Sequence, residues 1–136
     1  MARISPPVFP PLQGKALKDE KRTFNKFRFS DGDFHVIHSL DLPNPQNRQE
    51  TGEADFVVLA PNKGIFIIEV KGGGLQFNDG QWYSVRGPNK RRINSPHAQA
   101  KDNAFAIRAK LRKSFPGNPD GFTNTLITWG CVFPSQ

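Results

Sequence analysis

The chain has little with which to cross-link, hold a soft metal or enter a bilayer. Its 136 residues include one cysteine, Cys131, so no internal disulfide can form and a reduced, cytoplasmic setting is expected. One cysteine and three scattered histidines, His35, His38 and His97, do not supply a zinc site. No apolar run approaches the roughly 20 residues of a membrane span. Met1 to Leu12 is proline-rich and lacks the apolar stretch of a signal peptide. Internal repeats and low-complexity tracts are missing, as is any basic amphipathic helix with an aromatic apolar face, so no membrane partner is expected. Acid is the scarcer charge. Twelve Asp and Glu stand against nineteen Lys and Arg, a net charge of +7. That surplus favours polyanions, and with membranes set aside it favours nucleic acid; as partner, DNA is expected ahead of RNA.

What is present suffices for one domain. The hydrophobic fraction of 36% and twelve Phe can fill a single core. Residues 1–12, with four prolines in the stretch ending at Leu12, are expected to form an extended arm before a domain over 13–136. From Gln13 to Phe29, Leu17, Phe24 and Phe27 recur on one helical face, and "SDGD" ends the run. Glu20 falls on that apolar stripe, an odd place for an acid. Phe34 to Leu42 reads as a strand stopped by "PNPQN", followed by strands over 53–60 and 64–71 joined by "PNKG". "LQFNDGQWYSV" (75–85) predicts a hairpin turning at Asp79-Gly80. "RGPNKRRINSP" (86–96) reads as a basic loop. Ser95-Pro96 is a helix-start signal, and the helix should run to about Ser114 with Phe105 and Ile107 in its core. "PGNPDG" breaks it, and Phe122 to Phe133 reads as the last strand. The order is helix, three strands, hairpin, helix, strand: an α/β domain.

"GEADFVVLAPNKGIFIIEVKGGG" (52–74) concentrates the chemistry. Its two apolar runs should be buried, yet Asp55 opens the first strand while Glu69 and Lys71 close the second. Residues two apart in a strand share a face, so Glu69 and Lys71 point the same way. If Leu59 faces Ile65 in an antiparallel hairpin, Asp55 faces Glu69, with Cβ atoms roughly 4.5–5.5 Å apart. Buried carboxylates that close repel each other, and a divalent cation between them reverses the sign. Asp55, Glu69 and the carbonyl of Val70 are the expected ligands, and an all-oxygen set suits Mg2+ or Mn2+. Lys71, one strand step on, can orient water or stabilise charge on a phosphate oxygen. The plainer alternative is a surface ion pair between Glu69 and Lys71.

These residues carry a resemblance. Asp, a short hairpin and then Glu-x-Lys is the pattern of the PD-(D/E)XK nuclease superfamily. "EADFVVL", "GIFIIEVKGG", "DGQWYS" and "SPHAQAKDNAFAIRAKL" together resemble the NERD (nuclease-related) domain from about Gly14 to Phe133. Ala54-Asp55 replaces the usual Pro-Asp and keeps the carboxylate. The resemblance implies a restriction-endonuclease-like fold, a central mixed sheet flanked by helices. It implies a metal-dependent nuclease with Asp55, Glu69 and Lys71 as catalytic residues, Glu20 matching the family's early-helix acid and Gln99 its later-helix amide, with Asn103 one turn on. It also implies that the chain is the N-terminal part of a longer protein with a helicase-type or kinase-like partner domain. Paired cutting of duplex would call for a homodimer. The alternative is a nucleic-acid-binding or regulatory module of the same fold without turnover.

Basic residues offer the backbone contacts. Lys90, Arg91 and Arg92 lie in the "NKRR" run, while Lys101, Arg108 and Arg112 share one helical face. Of Trp82 and Tyr83, one should be core and the other is free to stack on a base. His35 and His38, on opposite strand faces, read as structural, and His97 sits beside the proposed site.

Overall fold

A computed structural model of the chain describes residues 2–9, 17–43, 51–114, 117 and 125–134. In chain order the elements are β1 (Arg3–Ser5), α1 (Leu17–Arg28), β2 (His35–Pro43), β3 (Thr51–Ala60), β4 (Gly64–Val70), β5 (Gly74–Asn78), β6 (Gln81–Arg86), β7 (Asn89–Ile93), α2 (Pro96–Ser114) and β8 (Ile127–Val132). Five strands form a mixed sheet in the order β1-β2-β3-β4-β8, and β5-β6-β7 form a separate antiparallel sheet. None of the described helices is long and apolar enough to cross a membrane.

Alternation along the strands gives the large sheet two dry faces. On one, Val36, Phe56 and Val58 pack with Phe66 and Ile68 against Phe24 and Phe27 of α1. On the other, Val57, Ile67 and Ile127 pack against Ala104, Ala106 and Ile107 of α2. The sheet thus separates the helices, as a mixed sheet buried on both faces requires. Ser95 starts α2 as expected: its hydroxyl accepts the Ala98 N–H at 3.2 Å, and Pro96 follows buried. The β3–β4 register also follows expectation, with Leu59 opposite Ile65 and Val57 opposite Ile67. Asp79 (φ 49°) and Gly80 (φ 75°) supply the two left-handed residues of a tight β5–β6 turn.

Four expectations need correction or limits. The basic loop is partly a strand: β7 pairs with β6, placing Arg91 opposite Ser84 and Arg92 opposite Tyr83. Backbone hydrogen bonds order it although it has almost no apolar face of its own. The N-terminal arm is not merely extended, since Arg3–Ser5 join the sheet in parallel with His35–Ile37. Phe105 is not core but 51% exposed, because it lies on the flank of α2 while Ala100, Ala104 and Ile107 face the sheet. The first turn expected from Gln13, the loop over 44–50 and the start of the last strand before Thr125 lie outside the described residues.

One irregularity shapes the site. Leu40, Leu42 and Ala54 pack in the same cluster as Ile37 and Val57, so both β2 and β3 reverse their alternation at the rung of Ser39 and Asp55. Ser39 takes a left-handed φ of 61° to do so.

Candidate active site

The site forms at the open end of the β3–β4 hairpin, where the chain leaves the sheet. Past β4, the Lys71 N–H donates to the Val132 carbonyl at 3.1 Å, keeping the exit aligned with β8. The Gly73 N–H then donates to the Asp19 carboxylate of α1 at 3.3 Å. A side chain at Gly72 would overlap that same carboxylate, and Gly73 has φ 78°, so the paired glycines permit α1 to approach. This contact brings the next residue of α1, Glu20, to the mouth of the hairpin.

Each acid is held by a specific partner. Glu20 Oε1 lies 2.7 Å from His38 Nε2, and the His38 ring is buried among Phe9, Phe24 and Phe56. Ser39 Oγ donates to Glu53 Oε1 at 2.5 Å, and Asn103 Nδ2 of α2 donates to the Glu53 carbonyl at 3.1 Å. Asp55 Oδ2 accepts the Val70 N–H at 2.8 Å, which ties the two strands beyond their last paired rung. Glu69, 7% exposed, meets Lys71 Nζ at 3.4 Å. Carboxylate oxygens of Glu20, Glu53 and Asp55 all lie within 4.8 Å of one another.

Burial pushes the Asp55 carboxyl up to about 8; the nearby Glu69 charge adds to this, and the Val70 N–H opposes it. Burial also raises Glu69, with Lys71 pulling the other way. The Cys131 thiol, beside Glu69 on β8, is pushed up to about 11 by burial and that carboxylate, so it stays protonated. Acids so crowded disfavour their own charge, and a cation among them would relieve the repulsion. The donor set is all oxygen, which fits a hard divalent ion.

Glu20, Asp55 and Glu69 line one wall of a cleft of about 570 Å³, and the small sheet forms another, bringing Arg86, Arg91 and Arg92 to the same space. Gln99, in the first turns of α2, also lines it, and its Oε1 is buried without a hydrogen-bond partner. Glu20 and Gln99 thus reach one cleft from helices on opposite faces of the sheet.

Asp55, Glu69, Lys71, Glu20, Gln99 and Val70 therefore come together, as do Arg91 and Arg92. Lys90 instead lies over the Tyr83 ring at 4.2 Å, and Lys101, Arg108 and Arg112 are on α2 away from the cleft lining. Trp82 stacks on Phe133 at 5.9 Å, with His97 against the same ring. Two participants were not singled out in the sequence. Glu53 sits one strand step before Asp55, a spacing that signals a shared face. Arg86 follows the Trp82–Ser84 alternation. His38 read as structural, and the structure gives it the Glu20 carboxylate as partner, a contact that exists only across the fold.

Neither the curated proteins nor the solved structures provide a match to the chain. The family model for the nuclease-related domain matches residues 15–129, a span that holds every acid, the lysine and the glutamine described above. The chain belongs to the NERD, or nuclease-related domain, family, consistent with the wider PD-(D/E)XK superfamily.

Proposed function

We propose that the protein is a metal-dependent nuclease of restriction-endonuclease-like fold that hydrolyses phosphodiester bonds, of DNA ahead of RNA. The observation that carries this reading is the convergence of Glu20 and Asp55 with the Glu69–Lys71 pair in a cleft also lined by arginines, with Glu53 grouped against Glu20 and Asp55. Asp55, Glu69 and the Val70 carbonyl would hold the metal, and Glu20 and Glu53 beside Asp55 would offer further oxygen donors. Mg2+ or Mn2+, when bound, would lower the pKa of its water and neutralise phosphate charge.

The chain's own groups supply the rest. Lys71 Nζ carries three donors and is positioned by Glu69, so it can orient the attacking water and stabilise charge on a phosphate oxygen. Arg86, Arg91 and Arg92 attract and align the backbone from the small sheet. Gln99 adds a polar amide to the cleft wall. His38 and Ser39 hold the Glu20 and Glu53 carboxylates in place. The lone cysteine fits a cytoplasmic setting.

The test is cleavage of labelled single-stranded and duplex DNA and RNA with Mn2+, Mg2+ or EDTA. Asp55→Ala and Lys71→Ala should each lower the rate by 100-fold or more, on the order of 3 kcal/mol of transition-state stabilisation. Salt-sensitive binding by the parent protein with no cleavage under any metal would replace the nuclease with a binding module of the same fold.

A further inference from the structure

The flank of α2 outside the cleft carries a row that the chemistry above does not use. Lys101, Phe105, Arg108 and Arg112 recur at spacings of four, three and four, which places all four on one stripe of the helix. Phe105 is 51% exposed there, and beside it Trp129 of the edge strand β8 is 39% exposed. Their ring centroids are 6.0 Å apart, and Lys101 Nζ lies 6.0 Å from the Phe105 ring. Among α2 residues the only acid is Asp102, off the stripe. Two large rings side by side at a surface are a costly exposure unless something covers them. Cations interleaved with those rings select a polyanion that has flat apolar faces.

We propose that this row is a track for single-stranded nucleic acid, with bases stacking on Phe105 and Trp129 and phosphates meeting Lys101, Arg108 and Arg112. A duplex keeps its base faces stacked internally, so only unpaired nucleotides can use the rings. The track lies near the cleft along two elements. Along β8, Trp129 pairs with Ile67 and Cys131 with Glu69, so the aromatic pair lies two residues from the rung that carries Glu69. Along α2, the row begins two residues after Gln99, which lines the cleft. The proposal rests on the nuclease reading and names its substrate as single strands or frayed ends.

The test measures binding in EDTA, where metal-dependent cleavage is silent, by fluorescence anisotropy of a labelled oligothymidylate and a blunt duplex of equal length. The single strand should bind at least tenfold more tightly than the duplex. Phe105→Ala and Trp129→Ala should each weaken single-strand binding about fivefold or more, the usual worth of one stacked base. Replacing Lys101, Arg108 and Arg112 together by Gln should flatten the log–log salt dependence by about 2, roughly 0.7 for each phosphate no longer neutralised. Unchanged melting temperatures would establish that these variants fold. Parental affinity in the ring variants overturns the proposal, as does equal binding of duplex. It is also overturned if the ring variants change the protein's sedimenting mass and not its oligonucleotide affinity, which would make the patch a face between copies. Loss of Mn2+-dependent cleavage with the track intact would instead remove the nuclease reading, so the two failures are distinct.

Discussion

Burying Asp55 against Glu69 raises its carboxyl from 3.8 to about 8, and that shift sets how the metal-free protein responds to pH. Between those values the folded state keeps a proton that the unfolded chain has released. Stability therefore falls as pH rises through the window and levels off on either side. Glu69 is shifted in the same direction and adds to the slope. Without metal, Asp55→Asn should melt several degrees above the parent at pH 8 and show no advantage near pH 4, as followed by circular dichroism. Mn2+ should raise the melting temperature of the parent at pH 8 by several degrees and leave Asp55→Asn nearly unmoved. A parent whose stability rises from pH 4 to 8 would mean that these acids are not crowded as described. His38 belongs to the same scale. Its Nε2 holds Glu20 while its Nδ1 is buried without a partner, so His38→Phe should keep the core filled yet free Glu20. That variant should bind Mn2+ about tenfold more weakly, read by calorimetry, which is the usual range for a residue supporting a ligand.

Among the elements, the contact between α1 and the glycines after β4 decides where Glu20 stands. Gly72→Ala would push the Asp19 carboxylate away from the Gly73 N–H. A loss of about 1–3 kcal/mol on urea unfolding is expected, together with weaker Mn2+ binding. The helix start is a milder lever: Ser95→Ala removes the cap on Ala98 and should cost about 1 kcal/mol. The elements also show what a single sequence reveals. The β3–β4 hairpin was legible down to its register, because two apolar runs flank a turn and a one-residue slip would turn every buried side chain outward. Ser95-Pro96 fixed the start of α2 for an equally local reason. β7 was not legible, since "NKRRI" has no apolar alternation and its order comes from pairing with β6. Nor was β1, whose short run beside prolines is a strand only because His35–Ile37 offer a partner. Of the site, Asp55, Glu69 and Lys71 announced themselves as charges at the ends of apolar strands. Glu53 hid on a strand end already rich in polar residues, and the reversal at Ser39 has no counterpart in any residue pattern.

For the whole molecule, stability and chemistry draw on the same sheet from its two faces. Phe24 of α1 and Phe56 of the sheet beneath it are fully buried, and truncating either to Ala should cost about 3–5 kcal/mol, a large share of the stability of a domain this size. Two groups of positive charge are distinct, the cleft arginines and the outer row of α2. Arg86→Gln with Arg91→Gln should lower cleavage about tenfold without changing the melting temperature, since both side chains are exposed. The far end of the β3–β4 hairpin offers a practical consequence. Pro61, Asn62 and Lys63 form an exposed turn, while the acids stand at the other end of the same two strands. A short epitope spliced between Asn62 and Lys63 would hang from the handle of the molecule, and a surface that captured it would present the acid-lined cleft outward to whatever flows past.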